Sequence, residues 1–172
     1  FQFNCLYSIT PLLTLSSFTY DFLEKSYAHL PHLRVHDPIS TIEPRKNIPA
    51  IVLAYDKLRS LGNPQLDKYK LVIAGGKGWK IKNILDVMRG AKFSKDIIFT
   101  SCITSQDKAA VFTLASLFVY PSFFEGFGIP VLESLCLKTP VICSDLLVFR
   151  ESFGNLPIYI NPIDLSEFTK GL

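Results

Sequence analysis

The four cysteines, Cys5, Cys102, Cys136 and Cys143, show no CxxC pair and no zinc-knuckle spacing. That argues against a zinc framework or a disulfide scaffold and predicts reduced core thiols of a cytosolic protein. No repeat or low-complexity tract occurs, which excludes solenoids and biased tails. The net charge is only +3, too weak a field to argue for nucleic acid, although it suits an anionic ligand or an anionic membrane surface. A long unbroken apolar run is also missing. Phe1 to Tyr20 carries no charge, but Gln2, Asn4, Pro11 and several hydroxyls interrupt it and no basic flank accompanies it. Two apolar elements of a soluble core are expected there, not a signal peptide or a membrane span. The expected setting is the cytoplasm, with peripheral contact at the inner face of a membrane. Because the chain starts at Phe1 and not at methionine, a fragment or a processed product is expected. What is present is 48% hydrophobic and 19% charged residues over 172 positions. That is enough for one domain with a real core, alone or with a short appendage.

Short β-rich runs alternate with segments of helical period. Ser16 and Ser17 followed by FTYDFLEKSYA read as a capped amphipathic helix, and Leu33 to His36 as a short strand. Asn47 to Gly62 has an asparagine cap, apolar residues at helical spacing and a glycine stop. KLVIAGG is a strand, WKIKNILDVMRG a helix, DIIFT a strand, SQDKAAVFTLA a helix from Ser105, and SLFVYPS a strand ended by Pro121. PVICSD, LLVFRES, IYINP and DLSEFTKGL continue as strand, helix, strand and helix. Strands separated by helices of this length predict an α/β fold, a doubly wound, Rossmann-like parallel sheet with helices on both faces. Such a sheet binds ligands beyond the carboxyl ends of its strands.

One stretch at such an end, PSFFEGFGIPVLES, sets Glu125 and Glu133 on either side of a Gly-Phe-Gly turn. Pro130 suits the first turn of a helix, which places the helix start near Ile129 and Glu133 roughly 6 Å along its axis. Gly126 and Gly128 permit close backbone approach, and free amides at a helix start favour an anion. Two carboxylates beside a diphosphate make sense if they accept from hydroxyls on either side of it, a ribose on one side and a sugar on the other. The bland alternative is a pair of solvated helix-start acids. Arg45 and Lys46 in TIEPRKN supply counter-charge beside such an anion, and taken alone would be a solvated surface pair.

PSFFEGFGIPVLES followed by TPVICSD resembles the donor-site signature of the retaining glycosyltransferases of family 4, whose two glutamates are separated by seven residues. TIEPRKN, LVIAGGKGW and NPIDLSEF are similar to its flanking blocks in the same order. The resemblance runs from about Ser16 to the end and implies the C-terminal, nucleotide-sugar-binding half of a GT-B enzyme. Residues 1–40 would be a residual helix and strand leading in, and residues 41–172 the donor-binding domain. The resemblance implies that Glu125 meets the donor sugar's hydroxyls and Glu133 the ribose. Phe127, Gly128 and Ile129 would offer backbone amides near the sugar and diphosphate, and Arg45 and Lys46 would neutralise the leaving diphosphate. Gly75 and Gly76 would line the cleft, and Ile103 would sit near the base. The implied reaction transfers a hexose, mannose from GDP-mannose by the likeness of TIEPRKN and LVIAGGKGW, to a glycan or lipid-linked acceptor in polysaccharide biosynthesis. No DxD occurs, which agrees with a family that needs no metal.

The sequence departs from the family in several places. Between HDPIS and TIEPRKN the family has a strand ending in glycine that is absent here, and Lys138 stands where glycine is usual. The chain ends before the helix that commonly crosses back to the first domain. The acceptor-binding N-terminal domain is expected to be missing or separately encoded. Two alternatives therefore stand: a non-catalytic nucleotide-sugar-binding subunit, and a truncated remnant with a gap in its sheet. His29, His32 and His36 are spaced by three and four, but a proline and a strand between them keep them off one helical face, so no metal site is expected. Phe123 and Phe124 read as packing at a strand exit, with a stacking platform for a base as the alternative.

Overall fold

The computed structural model describes residues 32–35, 42–76, 81–101, 105–164, 166, 167 and 169. Six strands form one parallel sheet: β1 His32–Val35, β2 Lys70–Ala74, β3 Ile97–Ser101, β4 Ala115–Tyr120, β5 Val141–Ser144 and β6 Ile158–Ile160. Their order is β3-β2-β1-β4-β5-β6, and all pairings are parallel. The helices are α1 Ile48–Ser60, α2 Lys82–Gly90, α3 Ser105–Leu114, α4 Ile129–Cys136 and α5 Leu147–Phe153. The doubly wound α/β fold expected from the alternation is thus the fold observed.

Strand alternation divides the core between two faces. Val119 and Ile142 pack with Ile48, Ile51, Val52 and Tyr55 of α1 and with Ile84 and Met88 of α2. Their neighbours Phe118, Tyr120, Val141 and Cys143 face the other way, onto Phe112 of α3, Val131 of α4 and Phe149 and Phe153 of α5. β1 lies between β2 and β4, with Val35 opposite Ile73 on one side and Val119 on the other. A strand from residues before 41 therefore fills the centre of the sheet, and the sheet has no gap there.

Element boundaries differ from the sequence reading by one to three residues at several elements, β3, β5 and β6 among them, as terminal residues commonly do. Asn47 differs in chemistry. It precedes α1 with φ 55°, and its side chain does not cap the helix; its Nδ2 donates to the carbonyl of Pro162 at 2.7 Å. The expected helix after Ser16, the apolar stretch Phe1 to Tyr20, His29, His36 and the thiols Cys5 and Cys102 lie outside the described residues. Cys143 is a buried free thiol, as expected, and burial pushes it up to about 12. Cys136, by contrast, is exposed; it ends α4 on the side away from the core. Among the described residues, no helix is long and apolar enough to cross a membrane.

Candidate active site

The strand order reverses between β1 and β4, and crevices at such a reversal are where doubly wound sheets hold nucleotides. The Pro44–Lys46 turn lies on the β1 side, before α1, and the loop Pro121–Gly128 leaves β4. Two backbone hydrogen bonds tie them in place. The Phe123 amide donates to the Arg45 carbonyl at 2.8 Å, and the Ile42 amide to the Gly76 carbonyl at 2.9 Å. The second contact also brings Gly76, at the carboxyl end of β2, beside the segment that leads into the turn.

Glu125 is the centre of the arrangement. Its Oε1 lies 2.5 Å from Arg45 Nη1 and 3.0 Å from Lys46 Nζ, and it accepts from the Tyr120 hydroxyl at 2.8 Å. Lys46 Nζ in turn donates to the Tyr120 hydroxyl. Burial alone would raise the Glu125 carboxyl; the adjacent Lys46 charge and hydrogen bonds, including that from Tyr120, overcome it and hold the group below the usual range. Arg45 also pairs with Glu43 through Nε at 2.9 Å and donates to the Phe124 carbonyl at 3.2 Å. Burial works against the Arg45 charge, but Glu125 and Glu43 outweigh it and raise the guanidinium.

These contacts revise the bland reading of both groups. Lys46 is 1% exposed, so it is a buried member of the network and not a solvated surface cation. Arg45 is the more open of the two. In sequence Tyr120 is only a strand residue, and nothing there signals its hydroxyl role, because a tyrosine in an apolar strand ordinarily signals core. The one clue was its position as the last strand residue, at the carboxyl end of β4.

Gly128 starts α4 in the left-handed region at φ 89°. A Cβ there would stand 2.5 Å from Cε1 of the Phe149 ring, so glycine is required twice over, by conformation and by close approach. α4 begins at Ile129 with Pro130 in its first turn, as the motif predicts. Phe127 and Ile129 keep exposed side chains. Phe123 and Phe124 are 47% and 72% exposed, which corrects the expectation that they are packing: the loop they ride on has already left the core.

Glu133 lies one turn into α4, and its Oε2 is 2.5 Å from Nζ of Lys108 on α3. Lys108 was not anticipated, because nothing in SQDKAAVFTLA distinguishes it from a solvated helix lysine. Gly75 and Gly76 follow β2 at the same end of the sheet, Gly75 being buried. Ile103 lies outside the described residues. The structure thus brings Arg45, Lys46 and Glu125 into direct contact and sets Gly128, Ile129 and Glu133 along the helix that follows.

The profile of glycosyl transferases group 1 matches residues 39–158, well over half of the chain. The chain belongs to that family. The chain is 32% identical over 127 residues to O-antigen chain mannosyltransferase B of Escherichia coli, covering 74% of the chain and 32% of that relative. It is 33% identical over 98 residues to the O-antigen chain mannosyltransferase RfbU of Salmonella typhimurium, covering 57% and 28%. The chain therefore spans about a third or less of the length of these relatives. Among solved structures it superposes on sucrose-phosphate synthase from Thermosynechococcus elongatus with a TM-score of 0.71 at 19% identity. That match covers 88% of the chain and 38% of the synthase, and shows that the chain shares the α/β fold of that part of the synthase.

Proposed function

We propose that the chain is the nucleotide-sugar-binding part of a retaining family 4 hexosyltransferase, with mannose as the sugar and a glycan or lipid-linked molecule as acceptor. The observation that carries this reading is the convergence of Arg45 and Lys46 on Glu125 at the reversal of strand order. The names of the O-antigen mannosyltransferase relatives support mannose and a polysaccharide product. An unbroken sheet and the contact between cations and acid favour a binding domain over a remnant.

In this reading the diphosphate lies at the start of α4, where backbone amides of Phe127, Gly128 and Ile129 face it. When the bond from the anomeric carbon to the phosphate oxygen breaks, the electron pair departs on the diphosphate. Arg45 stabilises that charge directly, and the buried Lys46 adds to the positive field from beneath. Fixed charge placed where negative charge develops is commonly the largest contribution to such a step. Glu125 accepts from the sugar's hydroxyls, Glu133 from the ribose, Gly75 and Gly76 line the cleft, and Ile103 meets the base. The diphosphate is held by side chains and amides and not by a metal. A further domain, in the same polypeptide or a separate one, binds the acceptor.

Calorimetry with UDP, GDP and their sugars tests this. One nucleoside diphosphate should bind, and the paired change Arg45→Ala with Lys46→Ala should weaken it more than the parent nucleoside. Equal losses for both would remove the phosphate role, and no binding at millimolar concentration would remove the donor site altogether.

A further inference from the structure

Lys108 lies outside the motif and has no part in the scheme above, yet it is held in an unusual way. Its side chain is 9% exposed, it projects from α3, and its ammonium stands 2.5 Å from Glu133 Oε2 on α4. A lysine so covered is unfavourable unless a counter-charge meets it. Glu133 provides that charge. Glu133 Oε2 is itself fully covered and receives no aligned hydrogen bond, so the contact is an ion pair. The Glu133 side chain nevertheless keeps about a third of its surface, 36%, open. The open part excludes Oε2, because that atom is sealed against Lys108.

We propose that Lys108 is a positioning residue for the donor: it holds Glu133 by Oε2 so that Oε1 accepts the vicinal hydroxyls of a ribose. This rests on the ribose role assigned to Glu133 above. A glutamate on a helix surface otherwise samples several rotamers and loses that freedom when a ligand binds. A carboxylate locked from inside the fold by a second group meets the diol already oriented. Lys108 acts through Glu133, so its effect on the donor falls on the hydroxyls that Glu133 reads. A mere tie between α3 and α4 would alter stability and leave recognition of ribose untouched.

The test is calorimetry on the whole chain with GDP against 2′,3′-dideoxy-GDP, and UDP against its dideoxy analogue, using the pair that binds. The readout is the ratio of the two dissociation constants. Wild type should prefer the ribonucleotide by about tenfold or more, the scale of hydrogen bonds to a charged group. Lys108→Met should bring the ratio below about threefold, and Lys108→Arg, which keeps a cation in reach, should restore most of it. Should the methionine variant not fold, Lys108→Gln removes the charge with a polar group and is read by the same ratio. An undiminished ratio in Lys108→Met or Lys108→Gln, with the ratio lost in Glu133→Gln, overturns the positioning role and leaves the ribose role standing. A wild type that binds both nucleotides equally overturns the ribose role itself, and the positioning role with it.

Discussion

A single carboxylate oxygen, Glu125 Oε1, faces a guanidinium, an ammonium and a phenol hydroxyl at once. Removing the acid takes away the carboxylate 3.0 Å from the ammonium of the almost fully buried Lys46, and that is more costly than losing a surface pair. The Glu125 carboxyl is depressed by these partners, and the sign of the linkage follows. Its contribution is fully present above the unfolded value near 4.5 and is lost as pH falls through the lower folded value, where the unfolded chain binds the extra proton. Glu125→Gln should therefore flatten the acid limb of a stability curve below about pH 4.5, measured by denaturant titration at several pH values. An acid limb as steep as in wild type would show that Glu125 does not carry it. At Gly128 a methyl group meets the buried Phe149 ring in a left-handed backbone. Gly128→Ala should cost roughly 2–4 kcal/mol, the sum of strain and overpacking, read as a lowered midpoint of urea unfolding. Tyr120→Phe should weaken binding of the sugar nucleotide more than of the nucleoside, because it frees Glu125 from one of its fixed donors.

At the scale of elements, α4 is defined at both ends by backbone conformation. Its start needs the left-handed Gly128. Its end has Lys138 at φ 60°, with the Lys138 amide donating to the Leu135 carbonyl and the Thr139 amide to the Ser134 carbonyl, both at 3.0 Å. That pair of bonds is the Schellman termination, which favours glycine at the left-handed position. Lys138 thus holds a conformation that a β-carbon disfavours, and this explains why glycine is usual there in the family it resembles. Lys138→Gly should raise stability by roughly 0.5–1 kcal/mol, visible as a higher thermal midpoint. A lower midpoint would mean that the lysine side chain contributes more than the strain it imposes. The helix starts were legible because proline and glycine have few conformational options. Asn47 is not a cap, although a left-handed asparagine and a capping asparagine look alike in sequence; the distant Pro162 carbonyl decides between them.

For the whole molecule, the strand order places the loops after β1 and β4 next to each other, although 79 positions separate Arg45 from Phe124. The proposed donor would link these two halves of the sheet, so binding should stabilise the entire fold. A nucleoside diphosphate at about 100 times its dissociation constant should raise the melting temperature by roughly 5–10 °C. The variant carrying both Arg45→Ala and Lys46→Ala should show little of that shift at the same concentration. A full shift in the double variant would place the anion elsewhere. Alternation of short apolar strands with helical segments determined the fold class, and proline and glycine fixed the turn before α4, because these are properties of local sequence. The central position of β1, the burial of Lys46, the hydroxyl of Tyr120 on Glu125 and the grip of Lys108 on Glu133 were decided only by tertiary structure. Each depends on which distant segment packs alongside, and burial is what turns an ordinary lysine or tyrosine into a fixed partner of an acid.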